Sequence, residues 1–193
     1  MFDHFDRLAP FYERLILPPE PAVLGGLLDL APSHALLDAA GGTGRVAGVF
    51  AASVARAVVC DISPRMLEQA RRKGLETVRT EVESMPFADA TFDRILLVDA
   101  FHHVRDQAAA LRELLRVLKP GGRLVIEEPD IRRLPVKIVA LLEKLFAMRS
   151  HFKLPAALMQ LIGEVGGVPS FAHEDRLRVW IMVTRNDFVT FAR

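Results

Sequence analysis

Two spacings of apolar residues alternate along most of the chain. Short runs bounded by charged or turn-forming residues, at 35–39, 57–60, 77–80, 94–98 and 123–127, predict strands. The run at 94–98 is almost continuously apolar, which suits a strand buried on both faces. Between the runs the spacing changes to that of a helix. A helix is predicted over 46–51. Another runs over 64–73, with Ser63 as its cap, Pro64 at its first position, Met66, Leu67 and Ala70 as its inward stripe and Gly74 at its stop. A third covers 107–118, with Leu111, Leu114, Leu115 and Leu118 inward, and Lys119-Pro120-Gly121-Gly122 ends it. The stretch between residues 80 and 94 leaves too little room for a full crossover helix.

The flanks read differently. Residues 1–17 place Phe2, Phe5, Leu8, Phe11, Tyr12 and Leu15 at helical spacing, interrupted by Pro10 and closed by Pro18, Pro19 and Pro21. A second helix follows over 21–30. These segments either cover an edge of the sheet or form an aromatic lid over a ligand. Beyond Pro129, residues 135–150 form an amphipathic, basic-flanked pattern (Val136, Ile138, Val139, Leu141, Leu142, Leu145, Phe146). It reads as a covering helix, with a membrane-surface anchor as the alternative. A helix over 155–165 stops at Gly166-Gly167, and strands at 171–173 and 178–184 are close enough to form an antiparallel hairpin. Strands alternating with helices predict an α/β fold, a doubly wound, mostly parallel sheet. With 193 residues, one domain is expected over 1–193: a helical cover at 1–33, a ligand-binding core at 34–128, and covering helices with the closing hairpin at 129–193.

Composition narrows the partners. Lys+Arg total 25 against Asp+Glu 24, so charge gives no reason to propose nucleic acid. Cys60 is the single cysteine, which excludes an internal disulfide and a cysteine-based zinc site; no metal is expected, and Cys60 reads as a small buried strand residue. A reducing cytoplasm is the expected location. No apolar run approaches the about 18 residues of a membrane span, so no integral membrane segment is expected, although peripheral association stays open.

The candidate chemistry gathers at strand ends. Ala35-Leu36-Leu37-Asp38-Ala39-Ala40-Gly41-Gly42-Thr43-Gly44-Arg45 is a strand, a carboxylate and a glycine turn leading into a helix. This is the opening of a nucleotide-binding unit, where backbone N–H groups approach a ligand closely. Gly42-Thr43-Gly44-Arg45-Val46-Ala47 also fits the dinucleotide fingerprint G-x-G-x-x-A, so the motif alone leaves two ligand classes open. Asp61, at the tip of the second strand and 17 residues beyond Gly44, suits a ribose diol of either. Asp38, Asp61, Glu81 and Asp99 all fall near the carboxyl edge of the predicted sheet. An NAD(P)-dependent oxidoreductase fits poorly: the only tyrosine is Tyr12, and no second domain holds a substrate.

Four blocks resemble class I S-adenosylmethionine-dependent methyltransferases, and within them the branch of ubiquinone/menaquinone-biosynthesis C-methyltransferases. They are Leu37-Asp38-Ala39-Ala40-Gly41-Gly42-Thr43-Gly44, Asp61-Ile62-Ser63-Pro64-Arg65-Met66-Leu67, Met85-Pro86-Phe87 through Phe92-Asp93, and Arg116-Val117-Leu118-Lys119-Pro120-Gly121-Gly122-Arg123-Leu124. The resemblance implies a seven-stranded sheet in the order 3-2-1-4-5-7-6 with strand 7 antiparallel, and S-adenosyl-L-methionine as cofactor. It places the methionine moiety on the glycine loop (Asp38, Ala40, Gly41, Gly42, Thr43, Gly44), with Ala40 where the family has its first loop glycine. Asp61 would bind the ribose, with Ile62 and Met66 beside the adenine. Glu81 stands where an aspartate often holds the adenine amino group, and Val82 follows it. Val98 and Asp99 would line the path to the methyl group, and Tyr12 would approach from the leader. His102 and His103 are the candidate catalytic residues, as a base or as donors orienting the acceptor. The expected acceptor is a small, apolar, quinol-like or polyketide-like molecule. A module that binds the cofactor without catalysis is the alternative.

Overall fold

The computed structural model describes residues 20–145 and 150–185. The expected leader helix, with Phe5, Phe11 and Tyr12, lies outside the described residues, as does Phe146. Seven strands, β1 (Ala35–Ala39), β2 (Arg56–Asp61), β3 (Glu76–Arg79), β4 (Phe92–Val98), β5 (Leu118–Pro129), β6 (Gly167–Glu174) and β7 (Arg178–Arg185), join in one sheet. Their order is β3-β2-β1-β4-β5-β7-β6. The pairs β2–β3, β1–β2, β1–β4 and β4–β5 are parallel, and β7 runs antiparallel to both neighbours. The fold expectation is therefore met, including the closing hairpin. The order also departs from the 3-2-1-4-5-6 order of dinucleotide-binding dehydrogenases.

Side-chain alternation divides the core between two faces. Leu37, Val58, Cys60, Ile95, Leu97, Leu124, Ile126, Ile181 and Val183 point to one face and are fully or almost fully buried. There they meet Ala110, Leu111, Leu114 and Leu115 of α4 (Gln107–Val117) and Leu158 and Ile162 of α6 (Pro155–Glu164). Leu36, Leu96, Val98, Val125 and Trp180 point the other way, against Leu24 and Leu28 of α1 (Pro21–Leu28) and Phe50 of α2 (Ala47–Phe50). Val59 meets Leu67 and Ala70 of α3 (Pro64–Arg72) on a smaller patch. Adjacent strand residues are thus buried on opposite sides, which explains the unbroken apolar run of β4.

Three elements differ from the sequence expectation. β5 begins at Leu118 rather than Arg123, because Lys119-Pro120-Gly121-Gly122 continues the strand through an irregularity opposite Phe92 and Arg94. Gly122 is required there: a Cβ would lie 2.9 Å from the Asp93 carbonyl oxygen and 2.8 Å from that of Lys119. β6 is longer than 171–173 and contains Pro169. It is an edge strand, where a missing N–H on the open side removes no ladder bond. The helix expected to cover the sheet is α5 (Leu134–Leu145); it buries Val136 but exposes Leu134, Ile138, Val139, Leu141 and Leu142. No helix among the described residues is long and apolar enough to cross a membrane.

Arg94 lies in the middle of this apolar architecture and is 9% exposed. Its Nε donates to the Leu28 carbonyl, and its Nη2 to the Asp29 carbonyl at 3.1 Å, so the guanidinium serves the carbonyls at the end of α1. Burial pulls its pKa below the ordinary arginine value. Replacing it removes the donor and leaves buried acceptors. Arg94→Ala is expected to cost about 2–4 kcal/mol in urea unfolding. Arg56→Ala, which breaks an exposed pair with Glu76, is expected to cost less than about 1 kcal/mol. Equal losses would show that Arg94 does not brace α1.

Candidate functional site

The carboxyl ends of β1, β2 and β4 form a continuous ledge. β1 runs into the glycine turn, where Gly41 N–H donates to the Cys60 carbonyl at 3.0 Å and Gly44 N–H to the Gly41 carbonyl at 2.9 Å. Asp61, ending β2, ties the turn to the next helix. Its Oδ2 accepts from Gly42 N–H at 2.9 Å, and its Oδ1 from Ser63 N–H at 2.8 Å. Ser63 Oγ in turn accepts from Met66 N–H at 3.2 Å, capping α3 as its position predicts. Lys73 reaches back from the end of α3 to the Thr43 carbonyl at 3.0 Å.

Asp38 is buried beneath this turn. Its Oδ2 accepts from Ala47 N–H at 3.0 Å, while Oδ1 has no hydrogen-bond partner among the described residues. Burial is the dominant cause that raises its pKa to about 7, and the N–H of Ala47 and the charge of Arg45 oppose it. A Cβ on Gly41 would meet Asp38 Cγ at 2.5 Å, so that glycine is required for the turn to close over the carboxyl. Above Gly42 the nearest atom to an added Cβ is Met66 Sδ at 3.8 Å, so this face of the turn is open.

The remaining predicted contacts divide by exposure. Ile62 is 51% exposed on the ledge, whereas Met66 and Val82 are buried. Glu81 is exposed and lies 3.7 Å from Arg105. Val98 is buried at the end of β4. Asp99 follows it at φ 54°, its N–H donating to the Glu127 carbonyl at 2.8 Å. Burial raises the Asp99 pKa to about 6; the charge of Glu128 adds to this, and His102 and Arg45 oppose it.

A single turn over Phe101–His103 presents both candidate histidines. His102 is 2% exposed. Its Nδ1–H donates to Glu128 Oε2 at 2.8 Å, while Glu128 Oε1 accepts from the N–H groups of Ala100 at 3.2 Å and Phe101 at 2.8 Å. Phe152 stacks on the His102 ring at 4.2 Å and 12°. Burial would lower the His102 pKa, but Glu128, Asp99 and Glu143 together outweigh it and raise it. His103 shares a 3.2 Å hydrogen bond with Ser150 Oγ; burial, helped by the charge of His102, pushes its pKa down to about 3. The segment carrying Ser150 and Phe152 is strapped to the turn by His151 N–H donating to the His102 carbonyl and by Gln107 Nε2 donating to the carbonyls of Phe101 and His151.

Sequence reading missed Glu127 and Glu128. The same rule that singled out Asp38, Asp61 and Asp99, an acid at the end of a parallel strand, applies to both. Glu127 accepts from Trp180 Nε1 at 2.8 Å and from Arg178 Nη1 at 3.3 Å, which fixes the β5–β7 seam beside the site. Glu143 was missed too, because it stands on α5 and carries no strand-end signal.

Two substitutions test this geometry. Ala40 occupies the left-handed region at φ 51°, where a side chain costs about 1–2 kcal/mol and glycine nothing. After the extra unfolded-state freedom of glycine is subtracted, Ala40→Gly is expected to stabilise the chain by about 0.5–1 kcal/mol in urea unfolding; destabilisation would contradict the strain. Asp38 binds its proton more tightly folded than unfolded, so between about pH 4 and pH 7 its contribution to stability falls as pH rises. Asp38→Asn is expected to flatten that decline in urea titrations across the window, and an unchanged pH profile would overturn the assignment.

The comparisons with known proteins agree with this geometry. Residues 37–126 match the family described as a methyltransferase domain. The chain is 38% identical over 109 residues to a demethylmenaquinone methyltransferase of Corynebacterium efficiens, covering 56% of this chain and 47% of that protein. It is 40% identical over 104 residues to the ubiquinone/menaquinone biosynthesis C-methyltransferase UbiE of Klebsiella pneumoniae, covering 48% of this chain and 41% of that protein. It therefore spans about half the length of the curated relatives it matches. Among solved structures, a possible histamine N-methyltransferase of Thermotoga maritima superimposes with a TM-score of 0.76 at 27% identity, over 94% of this chain and 98% of that one. Sheet order, glycine turn, strand-end acids and these likenesses together make the chain similar to S-adenosylmethionine-dependent methyltransferases.

Proposed function

We propose that the chain transfers a methyl group from S-adenosylmethionine to a small, largely apolar, quinol-like acceptor. The observation that carries the cofactor half is Asp38. A buried carboxyl oxygen without a partner, beneath a glycine turn whose Gly42 face is open, fits a ligand bearing an ammonium and a sulfonium. The backbone of Ala40, Gly41, Gly42, Thr43 and Gly44 would hold the methionine end, with Asp38 below it. Asp61, at the tip of β2 beside the glycine turn, would accept from the ribose hydroxyls. Exposed Ile62 and buried Met66 would flank the adenine, Glu81 and Val82 would border its edge, and Val98 and Asp99 would line the approach to the methyl group. Tyr12 would close the site from the leader.

Bound there, the cofactor supplies a methyl carbon already activated by its sulfonium. What the protein adds is orientation and the exclusion of water. His102 and His103, rigidly held after β4, are assigned to the acceptor side, where they orient or deprotonate the attacking group. The apolar positions of α5 and the curated relatives' quinone-biosynthesis names support an apolar acceptor. We place residues 1–193 in one domain, with a cover at 1–33, a core at 34–128 and an acceptor side at 129–193, working in the cytoplasm on a small molecule and not on nucleic acid. A buried single cysteine and balanced charge support that setting.

Isothermal titration with S-adenosylmethionine is expected to show one saturable site. Asp61→Ala is expected to weaken it by about 1–3 kcal/mol, roughly five- to 160-fold. Binding of NAD in its place would reverse the cofactor assignment. Release of S-adenosylhomocysteine with a demethylated quinol as acceptor reads the reaction. His102→Ala and His103→Ala are expected to lower turnover while leaving cofactor affinity near the wild-type value. Full turnover in both variants would remove the histidines from the acceptor side.

A further inference from the structure

We propose that His102, His103 and Glu143 hold a divalent first-row transition ion, with zinc as the reference ion. One ligand atom from each of the three side chains lies within 4.8 Å of the other two. Tetrahedral coordination with bonds of about 2.1 Å sets ligand atoms roughly 3.4 Å apart. Side-chain rotation on binding would close that difference, and Glu143 is the long, half-buried one.

The surroundings are those of a metal-binding histidine. Glu128 takes the Nδ1 proton of His102 at 2.8 Å, which leaves Nε2 as the lone-pair nitrogen. Glu128 is itself held by two backbone N–H groups, and Phe152 clamps the ring from its face. His103 stands on the same turn, its Nδ1 3.2 Å from Ser150 Oγ, and offers one ring nitrogen to the cluster. Glu143 supplies the observation that points to a ligand. Its Oε2 is buried and has no hydrogen-bond partner among the described residues. A carboxylate oxygen in that position is costly unless a cation or donor meets it. Asp99 and Glu128 add negative charge around the same point, and Arg45 is the cation that opposes them.

The donor set selects the ion. Two imidazoles and one carboxylate suit zinc and its first-row neighbours, whereas magnesium and calcium prefer oxygen alone. Three protein ligands leave a position open for water or for an oxygen of a bound molecule. In the holo form the two imidazoles would act through the ion rather than as free bases. The proposal is separable from methyl transfer: a chain that binds zinc but not S-adenosylmethionine leaves this site standing, and the converse result leaves the methyltransferase reading standing.

The test uses the full chain stripped with a chelator. Calorimetric titration with Zn2+ is expected to give one ion per chain, and Co2+ is expected to give the visible bands of a four- or five-coordinate site. Glu143→Gln and His103→Gln are each expected to weaken zinc at least tenfold and to suppress the cobalt bands. His34→Ala, remote at the opposite edge of β1, is expected to change neither. Zinc is also expected to raise the thermal midpoint of the wild type and not of Glu143→Gln, a conservative change at a half-buried helix position whose folding is checked by circular dichroism. Overturning results are the absence of a saturable one-to-one site, a preference for Mg2+ over Zn2+, or zinc affinity unchanged in both Glu143→Gln and His103→Gln.

Discussion

The carboxylate of Asp61 is the constraint on which the ledge depends. One oxygen accepts from the glycine turn after β1 and the other from the residue that caps α3. A turn built from Ala40-Gly41-Gly42-Thr43-Gly44 has no side chains long enough to stabilise itself. It is shaped from outside, by Asp61 and the Cys60 carbonyl on one side and by Lys73 on another. The parallel register of β1 with β2, which pairs Ala39 with Cys60, brings these groups level. An acid at this strand tip therefore ties two segments at once: the glycine turn after β1 and the start of α3.

A cost is stored beside it. Asp38 is held in the core with one oxygen unpartnered and its pKa pushed up to about 7, and Ala40 carries a side chain in a backbone region that suits glycine. Strain and uncompensated polarity at such a turn are expected where a ligand completes the structure. Trp180 has its indole N–H satisfied by Glu127, and buried Arg94 is satisfied by carbonyls.

The turn after β4 is organised on the same principle with different groups. Glu128 comes from the neighbouring strand, Ser150 and Phe152 from the segment after α5, and Gln107 from the start of α4. Three separate parts of the chain hold the turn with its two adjacent histidines. α5 buries Val136, exposes Leu134, Ile138, Val139, Leu141 and Leu142, and brings Glu143 near the two histidines.

The sequence by itself determined everything that depends on local spacing. The two periods of apolar residues placed β1, β2 and β4, α3 and α4 to within a residue or two, and the glycines, Ser63 and Asp61 announced the turn and the cap because those roles demand those residue types at those offsets. The strand order was met too, but as what the family resemblance implies and not as something local spacing dictates. Elements whose signals were overridden by neighbours were less legible. Lys119-Pro120-Gly121-Gly122 reads as a breaker yet is strand, because β4 offers it a ladder on one side, and Pro169 is tolerated because β6 is an edge. The partnerships of single side chains were not legible at all. Glu128 lies 26 residues from His102, and Glu143 stands on another helix; only the packed sheet brings them to the same point. The physical reason is general: backbone periodicity and turn chemistry are local and leave a pattern in the chain, whereas which buried charge meets which depends on distances that exist only after the core has closed.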